Sequence, residues 1–490
     1  MTKTQTRQIE ADVVVIGAGG AGLPAAVEAF EQGAERVVVL EKRNNPGGNA
    51  VFASGIFACE SPIHRKFMVD VPKDKVFKQA LDWHHHSQVN PRILRAYINN
   101  SGDTIRWLMD KGIEFEVGPE MMMYFGQEPT WHIAMNPQTG DLSRFAQVFR
   151  MLAREIQDHG GQILTKTDHT HVVTDADGRV CAVEAIHEGT GIRIATKTAI
   201  IATGGFIGNT ELLKKYFPYY EKNFGGFFVP MMGDGIRIAA EAGAALEDYA
   251  TLVKEAPASS DEMPERSLAL GCREPYALWV NKLGQRFTDE AVGAHLQTCT
   301  NIVMQQPGKQ AYALIDSAMV EDVRKHGWVL PRYPSMDTDT KFLDQITAAS
   351  QKGVWSTTSS DWDDIAAWIG AGAATLRASV DEYNASCSHG YDDLFAKDRR
   401  YMRPLLTPPF FAIRFGILII ETCGPVRVNE RMQVLTDAYK AVPGLYAAGA
   451  ITSGWLGHDY CGDYLFGTAL GYAMASGRIA GKEAARYAAG

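Results

Sequence analysis

The sequence predicts an α/β fold, a Rossmann-like dinucleotide-binding domain assembled from both ends of the chain with an α+β domain inserted between them. Three observations carry this. A β-branched run, Asp12 to Ile16, feeds into a glycine series at Gly17, Gly19 and Gly22. Two later strands also end in glycine turns, one from Thr198 to Gly205 and one from Gly444 to Gly449. Between about residues 245 and 415 the alternation of strand and helix lapses, and aromatics, prolines and polar loops take over. The expected boundaries are 1–244 and 416–490 for the two parts of the nucleotide-binding domain and 245–415 for the insert.

The first unit follows from what each residue permits. Gly17 allows a tight turn, Gly19 lets backbone N–H groups approach a pyrophosphate, and Gly22 lets helix pack closely on strand. The phosphates then rest on a helix N-terminus. A second strand, Val37 to Leu40, ends in Glu41, nineteen positions after Gly22, where a carboxylate can accept from both ribose hydroxyls. The cofactor predicted from this unit is FAD.

Pro46 to Gly55 forms a glycine-rich loop whose backbone suits the face of a flat ring. Leu142 to His159 reads as an amphipathic helix, with Phe145, Val148, Phe149, Leu152 and Ile156 at helical spacing and Gly160-Gly161 as its stop. Val172 to Ile186 reads as a hairpin turning at Asp175 to Gly178. Gly233-Asp234-Gly235 opens another helix. The last helix, Phe466 to Ala488, carries Gly467, Gly471 and Gly477 on an alanine-rich surface suited to tight packing.

A chain of 490 residues implies two or three domains of about 150 residues each. With 46% hydrophobic and 21% charged residues it has a globular composition, and its net charge of −9 argues against a nucleic-acid partner. The opening MTKTQTRQIEAD has neither an apolar core nor a twin arginine, and no apolar run reaches the ~18 residues of a membrane span. A cytoplasmic protein with no membrane partner is therefore expected. Seven dispersed cysteines with no C-x-x-C read as reduced thiols.

In order along the chain, GAGGAG with Glu41, EK…PGGNA, ATGG at Ala202 to Gly205, GDG at Gly233 to Gly235, VNKLGQRFTDE at Val280 to Glu290 and LYAAG at Leu445 to Gly449 resemble the flavoprotein family of fumarate reductase and succinate dehydrogenase. That family also contains ketosteroid dehydrogenases and urocanate reductase. The resemblance implies an FAD-binding domain of the glutathione-reductase type, a cap, and substrate held between cap and flavin. It assigns cofactor contacts to Gly17, Gly19, Gly20, Ala21, Gly22, Glu41, Lys42, Gly47, Gly48, Asn49, Ser54 and Gly55. Further contacts fall to Ala202, Thr203, Gly204, Asp234, Gly449, Ala450, Phe466, Gly467 and Thr468. Asn49 stands where members with covalent flavin carry histidine, so the FAD is expected to be noncovalent. The last helix is expected to aim its positive end at the flavin pyrimidine edge. Ala450 stands where relatives carry glutamate.

The larger departures concern the substrate. Fumarate-reducing members grip two carboxylates with two histidines and an arginine and protonate through another arginine. The corresponding stretches here read Glu255-Ala256-Pro257, Glu421-Thr422-Cys423-Gly424 and Asp463-Tyr464-Leu465, with Ala294 or His295 after RFTDE. A dicarboxylate without these cations would be buried unpaired, so the resemblance implies another substrate. Phe410-Phe411 likewise replaces the tyrosine of the ketosteroid dehydrogenases.

The remaining pocket candidates are aromatic or weakly acidic: Tyr124, Trp131, His132, His295, Glu421, Trp455, His458, Asp459, Tyr460 and Tyr464. Such a set suits an uncharged aromatic or steroid-like ring. The catalytic candidates are Tyr464, Tyr460, Asp459, Glu421, His132 and His295. Trp131 and Tyr124 also read as core, His132 equally as a structural histidine, and Arg273 as a salt-bridge partner. Met121 to Met123 read as soft packing. His84-His85-His86 suggests a metal, but consecutive positions on a helix diverge, so none is expected.

The aromatic-for-arginine exchanges are similar to those of isoflavonoid reductases that form equol from an isoflavan-4-ol. An enone or 3-ketosteroid reductase or dehydrogenase and an electron-transfer flavoprotein subunit stay open as alternatives. So does the electron donor, NAD(P)H or a partner protein.

Overall fold

The computed structural model describes residues 6–117, 128–135, 145–222, 224–226, 231–258, 266–329, 342–462 and 465–490. Tyr124, Met121 to Met123, Asp463 and Tyr464 lie outside these. The chain divides into two compact units, one formed by residues 1–220, 228–253 and 421–490 and the other by 221–227 and 254–420.

The first unit is built on a six-stranded sheet ordered Gln433–Leu435, Ala441–Ala447, Ala199–Ile201, Val13–Ile16, Val37–Leu40 and Gln162–Leu164. All neighbours are parallel except the first pair. Val13 pairs with Val37 and Ala199 with both Val14 and Leu445, so strands from both ends of the chain lie side by side. Val13–Ile16 and Val37–Leu40 are buried throughout, as strands covered on both faces must be. Helix Gly22–Glu31 packs along the last helix, Thr468–Ala489. A methyl group at Gly477 would lie 2.2 Å from the Ala21 carbonyl oxygen, and one at Gly481 2.1 Å from that of Ala25. Glycine here sets the distance between helices. A four-stranded sheet contains the expected hairpin, Thr167–Thr174 with Val180–His187. The amphipathic helix runs Ala146–Asp158 and buries Val148, Phe149, Leu152 and Ile156.

The second unit centres on the strand Phe410–Cys423, whose last residues pass into the first unit at Glu421. Ala311–Asp316 and Ser356–Ser359 pair antiparallel with it, and Leu278–Val280 pairs with Ala311–Asp316. Phe410 is buried and stacks on Trp362 with ring centroids 4.1 Å apart. A buried charge quartet fixes the VNKLGQRFTDE segment. Arg286 donates to Glu290 at 2.9 and 3.0 Å and to Asp392 at 2.9 and 2.7 Å, while Lys397 Nζ reaches Glu290 at 2.8 Å. Burial opposes the charge on Glu290, yet Lys397 and Arg286 hold its carboxyl below the ordinary range.

Two cations thus balance two anions out of water, and removing one partner strands a charge. Lys397→Met is expected to lower the unfolding free energy by about 3–5 kcal/mol. Removing the exposed Lys166–Glu188 pair by Lys166→Ala is expected to leave the unfolding free energy nearly unchanged. Urea denaturation checks both, and equal losses would contradict the assignment.

Candidate functional site

Three strand ends of the parallel sheet meet where the cofactor was expected. Gly17 follows Val13–Ile16 with φ +107°, and a methyl group there would lie 2.4 Å from the Ala202 carbonyl oxygen. At Gly22 the clash would be with the Gly17 carbonyl oxygen, at 1.8 Å. Gly17 N–H donates to the Leu40 carbonyl at 2.7 Å, Ala202 N–H to that of Ile16 at 2.8 Å, and Gly47 N–H to that of Ala18 at 2.7 Å. These bonds bring together the fingerprint turn, the ATGG turn and the PGGNA loop. Gly19 and Gly48 face each other with no side chain between them.

Helix Gly22–Glu31 begins without a side-chain cap; Leu23 N–H donates to the Gly19 carbonyl at 3.2 Å and Pro24 has no N–H, so an anion would meet the positive end of the helix at the glycine turn that precedes it. Glu41 accepts from Ala18 N–H at 2.9 Å through Oε2 and from Arg43 N–H at 2.8 Å through Oε1. Each oxygen retains a lone pair for a ribose hydroxyl. Thr203 Oγ1 is buried with no partner among the described residues. An orphaned hydroxyl, an uncapped helix and two glycine loops fit a dinucleotide. Lys42 and Asp234 instead pair with each other at 2.7 Å.

The last helix starts from Gly467, at φ +78° and again with no side-chain cap of its own. Thr468 Oγ1 lies 3.0 Å from the Tyr97 hydroxyl. Tyr460 supplies what the cap residue does not, because its hydroxyl accepts from Ala469 N–H at 3.2 Å. Gly55 admits Trp131, whose indole nitrogen would lie 1.9 Å from a methyl group at that position. Trp131 is buried with its ring centroid 6.1 Å from that of Phe466.

Glu421 joins this cluster. Its carboxylate accepts from Thr422 N–H at 3.0 Å, from Gly205 N–H and from Asn49 Nδ2 at 3.3 Å. Asn49 and Gly205 belong to two of the predicted cofactor loops. Burial outweighs these donors and pushes the Glu421 carboxyl up to about 7.

Other candidates are placed differently. The His132 Nδ1–H donates to the Thr130 carbonyl at 3.0 Å, which leaves Nε2 to accept from Ser61 Oγ at 2.6 Å. Burial lowers its pKa to about 3. With both nitrogens engaged, His132 holds the strand Trp131–Ala134 against the Ser61 turn instead of moving protons. Trp455 stacks on Tyr472 at 4.1 Å and donates to the Thr452 carbonyl at 3.2 Å, so it belongs to the packing. His295 is in the other unit, at the head of helix Leu296–Met304, where burial lowers its pKa. The Asp459 carboxylate accepts from Tyr460 N–H at 3.1 Å and His458 Nε2 lies 2.9 Å from Ser87 Oγ.

Sequence reasoning missed the role of the histidine run. The helix Lys73–Trp83 stops before it, and His85 and His86 have positive φ. Only His84 turns inward, with 5% exposure, and its Nδ1 accepts from Gly457 N–H at 3.3 Å. The signal available was a loop between two helices, not three positions of one helix.

Thr203→Val is expected to weaken FAD binding about five- to tenfold, the loss of one hydrogen bond. Titration of the apoprotein with FAD measures this, and unchanged affinity would remove Thr203 from the cradle.

The FAD binding domain family matches residues 12–461. Over 97% of its length the chain is 28% identical to vinyl phenol reductase of Lactiplantibacillus plantarum, covering 96% of that protein. It is also 28% identical to NADH:fumarate oxidoreductase of Klebsiella pneumoniae, over 98% of this chain and 48% of that one. Among solved structures, 3-ketosteroid-delta4-(5alpha)-dehydrogenase of Rhodococcus jostii shares the fold, with a TM-score of 0.74 and 22% identity over 99% of this chain and 98% of that one. No helix among the described residues is long and apolar enough to cross a membrane. By its strand ends, its glycine cradle and this match, the chain belongs to the FAD binding domain family and is an FAD-dependent oxidoreductase.

Proposed function

We propose that this enzyme reduces an uncharged, hydroxylated aromatic substrate at the carbon attached to its ring, most specifically an isoflavonoid of the 7-hydroxyisoflavan-4-ol type. The observation that carries the reading is Glu421, a carboxyl with a pKa of about 7 bonded to two cofactor loops, at the position where the resemblance calls for a cationic substrate clamp. When ionised this group repels a dicarboxylate, and when protonated it serves a neutral substrate as acid. A full-length relative named for a vinyl phenol supports the phenolic class.

The chemistry needs few groups. A hydroxyl para to the benzylic carbon gives up its proton to solvent as the 4-hydroxyl takes one and leaves as water, which gives a quinone methide; hydride addition at the benzylic carbon then returns a phenolate that takes a proton back. Glu421 holds the proton for the departing oxygen, so the C–O bond breaks toward water instead of hydroxide. FAD, when bound, supplies the hydride that the benzylic carbon finally carries. Asn49 and Gly205 orient the carboxyl, and Tyr460 stands at the helix head for hydrogen bonding to substrate oxygen. In a vinyl phenol the same acid would protonate the terminal carbon and, with loss of the phenolic proton to solvent, give the same kind of quinone methide.

A general acid must be protonated, and a group with pKa about 7 is protonated below that pH. Turnover is therefore expected to be level below pH 7 and to fall about tenfold per unit above it. Glu421→Gln should lower turnover roughly 10²–10⁴-fold, remove that fall and leave FAD bound. An unaltered pH profile in the variant would exclude Glu421.

The substrate class is tested anaerobically with photoreduced enzyme and four acceptors: a 7-hydroxyisoflavan-4-ol, its 7-methyl ether, an enone steroid and fumarate. The free phenol should reoxidise the flavin and lose its 4-oxygen, while the ether, which cannot form the quinone methide, should not. Reoxidation by the enone or by fumarate alone would overturn the reading.

A further inference from the structure

A closed circuit of contacts starts and ends at the segment that follows strand Val37–Leu40. Thr167 N–H donates to the Glu41 carbonyl at 2.9 Å and Lys166 N–H to that of Arg43 at 3.1 Å, which fastens strand Thr167–Thr174 to this segment. The Arg237 guanidinium donates to the Thr170 carbonyl at 3.0 Å and fastens helix Asp234–Glu241 to the same strand. The head of that helix returns to the start, where Lys42 Nζ lies 2.7 Å from Asp234 Oδ2. Each of the first three links uses a backbone carbonyl. The fourth joins two side chains alone, 41% and 47% exposed, so it can open by rotamer changes without disturbing the fold.

This pair bridges two edges of the cofactor cradle. Ile16 pairs with both Ile201 and Leu40, so strands Ala199–Ile201 and Val37–Leu40 flank Val13–Ile16 and end two strand spacings apart, about 10 Å. Lys42 follows one of these ends. Asp234 opens the helix whose next residue rests on the turn after the other, since a methyl group at Gly235 would lie 2.1 Å from Thr203 Oγ1. On the Lys42 side stands Glu41, with a lone pair on each oxygen for a ribose hydroxyl. On the Asp234 side is the Thr203 hydroxyl, buried and without a partner. The central strand between them runs into the Gly17 turn of the fingerprint. An ion pair over that strand end joins the ribose edge of the cradle to its Thr203 edge.

We propose that Lys42 and Asp234 form a latch over the adenosine end of FAD that sets how fast the cofactor enters and leaves. The resemblance assigns each residue a cofactor contact of its own; in this chain they hold each other, and their role is to keep the circuit shut. Salt opens the latch, because screening weakens an exposed ion pair. The inference concerns cofactor exchange and is independent of the substrate.

The test mixes holoenzyme with an excess of isotope-labelled FAD and follows replacement of the bound cofactor by mass spectrometry. Exchange in the wild-type enzyme should be about two- to fivefold faster at about 1 M salt, where screening acts beyond ~3 Å, than at about 0.01 M. Lys42→Met and Asp234→Asn should each speed exchange by a similar factor at low salt and lose most of the salt response, with melting temperature kept. The double variant should be no faster than either single one. Lys42→Asp combined with Asp234→Lys should recover part of the slow, salt-sensitive exchange. Thr203→Val, which leaves the pair intact, should exchange faster and keep the salt response. Exchange at the wild-type rate in the single variants, or a salt response that survives in Lys42→Met, would overturn the latch. A double variant faster by the product of the two single effects would overturn it as well, because the residues would then touch the cofactor separately. Should a single variant be purified without FAD, the wild-type enzyme decides: exchange that is flat with salt overturns the latch.

Discussion

The approach of Gly22 to the Gly17 carbonyl is the contact on which the rest of the molecule depends. A methyl group would stand 1.8 Å from that oxygen, so only glycine lets the first helix start directly above the first strand. From that turn follow the uncapped start of the helix, the meeting of Gly17 with Ala202 and Leu40, and the docking of Glu41 on Ala18. Gly477 and Gly481 repeat the device, since the last helix can lie along the first only where both lack side chains. Backbone proximity, more than any side-chain bond, shapes the cradle.

Two carboxylates, Glu290 fully buried and Glu421 partly so, show how surroundings assign roles to one chemical group. Glu290 sits against Lys397 and Arg286, stays charged, and serves as a strut. Glu421 has hydrogen-bond donors but no cation among those causes, so burial prevails and its proton is held to about 7. Where a cation is supplied, burial yields structure. Where it is withheld, burial yields an acid near neutral pH.

The parallel sheet, the glycine turns and the hairpin were legible because they follow from local rules: β-branched runs, positive φ and D-G chemistry. Element bounds are less legible: the apolar spacing gives Leu142 to His159, of which residues 142–144 lie outside the described residues and the helix runs Ala146–Asp158. Side-chain partners were not legible. His132 reads as a proton carrier until Ser61 and Thr130 occupy its ring, and those partners come from separate turns. Lys42 and Asp234 are 192 positions apart, and only the fold shows that they pair. The histidine run failed for a local reason: it was read as helix, while positive φ at His85 and His86 separates the three rings.

Backbone loops from both ends of the chain are expected to hold FAD without a covalent bond, Asn49 standing where a link would form. Acid precipitation of freshly purified protein measures it directly. Yellow protein that releases its flavin to the supernatant as intact FAD, one per chain, is the expected result. Colourless protein, or flavin that stays with the precipitate, would contradict it.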